Sequence, residues 1–119
     1  MDVRNVKKLD YKMIRGGLIL KPTRRIDSAN AKAFESEAHA LLNEGSAKVV
    51  MDVSDLDYIS SAGLRAILTT AEKAKAAGGG LTIVRASANV KEALEISGFD
   101  AIFGIHPNVE AALASFESQ

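Results

Sequence analysis

Residues 47–68 read AKVVMDVSDLDYISSAGLRAIL, and within them the apolar pattern changes period. The first seven, AKVVMDV, form a compact run of β-branched and other apolar residues, as expected of a strand buried in a sheet covered on one or both faces. From Leu64 onward the apolar positions recur at helical spacing through Ile67, Leu68, Ala71 and Ala74, and the run stops at the glycines 78–80. A strand hands over to a helix here, and two adjacent serines, Ser60 and Ser61, stand at the junction. Three roles are open to them: helix cap, catalytic nucleophile, or acceptor of a covalent group.

The flanking sequence builds the same kind of fold in both directions. Upstream, Leu9, Tyr11 and Met13 alternate with Asp10 and Lys12, the two-residue period of a half-buried strand, and Gly16-Gly17 turns the chain into LILKP as a β-hairpin. Pro22 has no N–H for a sheet ladder, so the second strand should be leaving the sheet there. Asp27 or Ser28 can cap a helix carrying Ala31, Phe34, Ala38, Leu41 and Leu42, which Gly45 ends. Downstream, LTIV at 81–84 reads as a strand, and Asn89 as the cap of a short helix with Val90, Ala93 and Leu94 that runs to Gly98. AIFGI at 101–105 is a further strand candidate, and Pro107 opens a last helix with Val109, Ala112, Leu113 and Phe116 on one face. Alternating strands and helices after a hairpin predict an α/β domain over residues 1–119. Its mixed sheet has a parallel portion joined by right-handed crossovers. In such sheets function sits where strands pass into helices at their carboxyl ends, which is where the serine pair lies.

Composition narrows the chemistry. The 119 residues are 47% apolar and 25% charged, and 15 basic side chains balance 15 acidic ones. A balanced chain lacks the positive surplus that drives non-specific binding to nucleic acid or to an anionic membrane, so neither partner is expected. Lys7-Lys8 and Arg24-Arg25 read as solvated surface. With no cysteine, disulfides, thiolate metal sites and cysteine nucleophiles are excluded, in keeping with a reducing compartment. The N-terminal stretch MDVRNVKKLDYKMIRGG has no apolar core of signal-peptide length, and no run approaches the roughly 18 residues of a membrane span, so a cytoplasmic protein is expected.

Nucleophile chemistry fits the serines poorly. The nucleophile elbow of α/β-hydrolases, G-x-S-x-G, aligns with Ile59-Ser60-Ser61-Ala62-Gly63, where a β-branched residue replaces the first glycine. The base would have to be His39, inside a predicted helix and opposite Phe34 and Leu41, or His106, beside Pro107 at a helix start. Neither position places a base beside Ser61, so we expect no catalytic residues. A phosphate-binding loop is absent, because the glycines at 78–80 follow a helix and do not precede one. Two histidines and scattered carboxylates show no metal-ligand spacing, and no metal or cofactor is expected. One serine should cap the helix; the second, flanked by Ala62 and Gly63, reads as open to an approaching macromolecule.

The stretch VVMDVSDLDYISSAGLRAIL, residues 49–68, resembles the central motif of STAS-domain anti-sigma factor antagonists, Asp-x-Ser-x-Leu/Val-x-Phe/Tyr-Ile/Leu/Met-Asp-Ser-Ser/Ala-Gly-Leu/Ile/Val. Asp52, Ser54, Leu56, Tyr58, Ile59, Ser61, Ala62, Gly63 and Leu64 match, and RIDS at 25–28 resembles the family's Arg-Leu-Asp-Ser segment. The sequence departs at Ser60, where most members have aspartate, and at Arg24, where glycine commonly precedes the Arg-Leu-Asp segment.

The resemblance implies a single STAS domain, a mixed four- to five-stranded sheet with about four helices mainly on one face, acting in bacterial partner switching. The unphosphorylated antagonist would bind an anti-sigma factor that is also a serine kinase of the histidine-kinase-like ATPase fold. Phosphorylation of the motif serine would release it, and a PP2C-type phosphatase would reset it. By motif register the acceptor is Ser61, with Ser60 as the alternative. The implied partner face comprises Asp27, Ser60, Ser61, Ala62, Gly63 and Leu64. Competing readings are a STAS scaffold or small-ligand sensor that does not switch, and a small serine hydrolase.

Overall fold

The computed structural model describes residues 9–14, 16–22, 24–44 and 47–117. The opening hairpin pairs β1 (Asp10–Ile14) with β2 (Gly17–Lys21) antiparallel, with Ile14 opposite Gly17. Gly16, at φ +77°, supplies the left-handed conformation that so short a connection needs. Beside β2 lie β4 (Lys48–Asp52), β6 (Gly80–Val84) and β7 (Gly104–His106), all parallel to it, in the order β1-β2-β4-β6-β7. Val49, Val50 and Met51 of β4 are fully buried, because both faces of the central strand are covered.

Helices α1 (Ala31–Glu44) and α2 (Ser61–Ala76) cover one face, where Phe34, Ala38, Leu64 and Ile67 pack with Leu18, Leu20, Val49, Met51, Leu81 and Ile83. Helix α3 (Ala88–Ile96) adds Val90 and Leu94 to the same core. Helix α4 (Val109–Glu117) takes the opposite face, where Ala112 and Phe116 meet Val50 and Val84. The mixed α/β architecture with four helices and a five-stranded sheet is the expected one, and α4 is the helix that departs from the main face.

Several local expectations change. Tyr11 and Met13 are about half exposed: they share a face with Leu20 and Leu18, but on an edge strand beyond the helices' cover. A separate two-stranded parallel sheet, β3 (Arg24–Ile26) with β5 (Leu56–Ile59), was not legible. The inward residues of β5 are Leu56 and Ile59, with Asp57 and Tyr58 exposed between them, a spacing that matches no strand period. The cap of α3 is Ser87, whose Oγ accepts from the Val90 N–H at 3.3 Å, while Asn89 lies inside the helix. The cap of α4 is Asn108, whose Oδ1 accepts from the Ala111 N–H at 2.8 Å, so Pro107 stands one residue before it. In AIFGI, residues 101–105, only Gly104 and Ile105 belong to a strand, and Ala101 closes a 3-10 turn, Phe99–Ala101. Gly45, the expected stop of α1, lies outside the described residues, as do Lys7 and Lys8.

Candidate functional site

The site is built where the small sheet meets two helix starts. Ser60 leaves β5 with extended backbone (φ −91°, ψ 175°) and its N–H donates to the Ile26 carbonyl of β3 at 2.9 Å. Its Oγ accepts from the Gly63 N–H at 3.1 Å, satisfying one of the orphan donors of the first turn of α2. Ser61 is the first residue of α2 and exposed, and its hydroxyl makes no hydrogen bond to the described residues. The two serines are therefore chemically unequal: one oxygen is engaged in the helix cap, the other faces solvent.

Gly63 has a different role from the one its size suggested. It is buried, and a Cβ there would lie 2.8 Å from the Ile26 carbonyl oxygen and 2.9 Å from Ile26 Cγ2 and from Ile59 Cγ1. Only glycine lets α2 approach the small sheet this closely. Leu64 is buried in the main core. Gly63 and Leu64 thus set the height and angle of the turn, and the surface available to a partner is narrower than expected: Ser61, the half-buried Ser60 and Ala62, and Asp27 across the seam.

Asp27 organises the neighbouring helix start. Its Oδ1 accepts from the Ala29 and Asn30 N–H groups at 3.0 and 3.2 Å, while the Asp27 N–H donates to Asn30 Oδ1 at 2.9 Å. This is the reciprocal arrangement of a capping box, with asparagine in the usual Glu/Gln place. Ser28, the other candidate cap, is exposed. Arg25 Nε lies 2.7 Å from Asp27 Oδ2, and the guanidinium also stacks over the Tyr58 ring, 4.8 Å from its centroid. The Arg25 hydrogen bond, helped by the two backbone N–H groups, holds the Asp27 carboxyl below its ordinary range. Arg25, read from sequence as plain surface, links β3, β5 and the α1 start; the Asp-x-x-Asn spacing at 27–30 was the signal for the box.

Arg24 explains one departure from the family pattern. It sits at φ +67°, with its N–H donating to the Asp55 carbonyl at 2.8 Å. This left-handed conformation favours glycine, the residue commonly found there in the family. Motif residue Asp52 is buried at the end of β4 and holds the next turn through Oδ1, which accepts from the Ser54 N–H at 3.0 Å. Ser54 itself is exposed.

The histidines stay away from this chemistry. His39 lies on α1 with Nε2 4.0 Å from the Glu35 carboxylate, and His106 ends β7. Neither lines the cleft that holds Ser61. Among the described residues no group of three or more His, Asp or Glu side chains is placed to hold a metal ion. No helix among them is long and apolar enough to cross a membrane.

Comparisons with known proteins agree with this geometry. Residues 8–112 match the STAS domain family. The chain is 40% identical over 111 residues to BtrV of Bordetella bronchiseptica, a protein assigned as an anti-sigma factor antagonist, covering 93% of this chain and 96% of that one. Among solved structures, one assigned as an anti-sigma factor antagonist from Thermotoga maritima superposes with a TM-score of 0.85 at 24% identity, covering 92% of this chain and 94% of its own. SpoIIAA of Bacillus, an anti-sigma factor antagonist, superposes in its unphosphorylated form with a TM-score of 0.77 at 14% identity, covering 94% and 98%, and has also been solved phosphorylated. At those identities the structures speak for the fold. A match to the family over residues 8–112, on a five-stranded mixed sheet with the serine turn at the carboxyl end of β5 in the small sheet beside it, places this protein in the STAS domain family.

Proposed function

We propose that this chain is an anti-sigma factor antagonist of the partner-switching kind, and that Ser61 is its phosphoacceptor. The observation that carries the reading is the inequality of the serines: the Ser60 oxygen is bonded within the helix cap, whereas the Ser61 hydroxyl, at the first position of α2, is exposed and has no partner among the described residues. The name of BtrV and the two solved forms of SpoIIAA support the role. In its unmodified form the chain binds an anti-sigma factor that is also an ATP-dependent serine kinase. The Ser61 oxygen attacks the γ-phosphorus, the bond to ADP breaks, and the hydroxyl proton passes to a base of the kinase. A PP2C-type phosphatase later returns the phosphoryl group to water. The chain is a substrate and a binder, and the kinase supplies the catalysis.

The physical effect of the phosphate is local attraction and interfacial repulsion. It adds about −1.5 to −2 charges. At the start of α2 the unpaired N–H groups and the helix dipole favour that charge, so the modified protein stays folded. At the interface the dianion must be desolvated against the partner, and a loss of about 3 kcal/mol there weakens binding more than a hundredfold.

Ser61→Ala protein used as bait, followed by mass spectrometry, identifies the kinase. With that kinase in hand, Ser61→Asp is expected to bind at least a hundredfold more weakly, with circular dichroism and melting unchanged. Ser61→Ala is expected to bind without being phosphorylated. Loss of folding in Ser61→Asp would make the serine structural and end the proposal.

A further inference from the structure

Ser61 and Arg65 stand at positions i and i+4 of α2, and both line one shallow cleft of about 280 Å³, together with Leu64, Leu68, Ser97 and Phe99. Arg65 carries the one charge among those lining residues and is exposed. Two other arginines near the two turns face carboxylates. Arg25 is held by Asp27 at 2.7 Å, and Arg85 Nε stands 4.0 Å from Asp52 Oδ2. Arg65 has no ion pair with the described residues. An uncommitted guanidinium therefore lies one helical turn from the exposed serine, in the same cleft.

Position decides what this group can do. Residues four apart on a helix have Cβ atoms about 5–6 Å apart, and an acidic group placed N-terminal to a basic one is the favourable order. A phosphoryl group at residue 61 has that order. Three phosphate oxygens match the planar fork of an arginine, which donates two parallel hydrogen bonds where lysine offers a point charge. The residue before the acceptor strengthens the case. Ser60 is neutral, so no carboxylate next to the acceptor competes for the guanidinium. Asp27 across the seam is already paired with Arg25.

We propose that Arg65 is the internal receptor for the phosphoryl group on Ser61. This rests on the reading of Ser61 as the acceptor. In the unmodified protein the guanidinium is free to meet a partner's acidic or hydrogen-bond-accepting group. After modification it folds back along α2 and holds the phosphate against the helix start. One event then adds negative charge to the docking face and withdraws a cation from it. Arg65 acts as a positioning residue, through the phosphate.

The test uses the full chain with phosphoserine encoded at position 61, titrated by 31P NMR. The second phosphate pKa is expected to be about 0.5 unit lower with Arg65 present than in Arg65→Gln, about a threefold stronger preference for the dianion. Arg65→Lys should fall between, and molar salt should shrink the difference. Identical titrations in wild type and Arg65→Gln would overturn the role of Arg65 and leave Ser61 as acceptor untouched. The acceptor is checked separately, by tandem mass spectrometry of kinase-treated protein. Phosphate found on Ser60 would overturn the acceptor reading and this inference together.

Discussion

Replacing Gly63 with alanine sets two known effects against each other. Gly63 lies in the first turn of α2, and by helix propensity alone alanine there should stabilise by about 1 kcal/mol. The new methyl group, however, would sit 2.8 Å from the Ile26 carbonyl oxygen and 2.9 Å from two isoleucine side-chain carbons. The side-chain carbons can yield by small rotations, but the carbonyl cannot move freely. It already accepts the Ser60 N–H at 2.9 Å, so relieving the clash strains the bond that ties β3 to the serine turn. Overpacking of this kind costs about 1–3 kcal/mol, and weakening one backbone hydrogen bond costs about 1 kcal/mol more. Packing wins, and a net loss of about 2 kcal/mol is expected. In urea, followed by far-UV circular dichroism, an m-value of about 1–3 kcal/mol/M puts the midpoint about 1 M lower. Ser61→Ala, at an exposed neighbouring position, should stay within about 0.5 kcal/mol of wild type. A Gly63→Ala midpoint equal to or above wild type would show that propensity outweighs the contact and would refute the close-approach argument.

Two further substitutions probe the other helix start. Arg24→Gly releases a left-handed strain of about 1–2 kcal/mol against a glycine entropy cost of about 0.5–1 kcal/mol, so urea denaturation should show a modest gain in stability. A lower midpoint would mean that the Arg24 side chain holds more than its backbone loses. Asp27 gives a pH signature: its folded pKa lies below the ordinary 3.8, so its contribution is fully present above that value and is lost as pH falls through the depressed one. Urea midpoints from neutral pH down to about pH 2 should therefore fall more steeply for wild type than for Asp27→Asn, and parallel acid limbs would contradict the pairing with Arg25.

The fold was legible where burial imposes a period. The β4 run and the α2 stripe are long, apolar and bounded by glycine, so hydrophobic burial alone marks them. Leu56 and Ile59 anchor β5 with two exposed residues between them, too sparse a pattern for either helix or strand. The starts of the last two helices were misplaced at Asn89, read as a cap, and at Pro107, read as a first helical position, for a related reason. Several residues near a helix start have cap chemistry, and the choice among them depends on which N–H the backbone turns toward the oxygen, as Ser87 and Asn108 show. Motif register singled out Ser61, and the separation of the two serines rested on it. The same sequence reading took Gly63 as a device for exposure, because a glycine's smallness looks alike whether solvent or another chain segment fills the space beside it. Arg25 was unreadable as a hub, since its partners Asp27 and Tyr58 come from segments that only the β3–β5 pairing brings together.

Under the proposed function, that pairing also bears on how related chains could recognise different partners. The β3–β5 sheet is separate from the five-stranded sheet and is fixed inward by Ile26, Leu56 and Ile59, while Arg25, Asp57 and Tyr58 point outward. Those outward positions flank both turns and take no part in the main core. Arg25 and Tyr58 are tied to each other and to Asp27, so related chains would have to exchange them together, whereas Asp57 can vary alone; under the proposed function, recognition could diverge in this way while the serine turn stays the same.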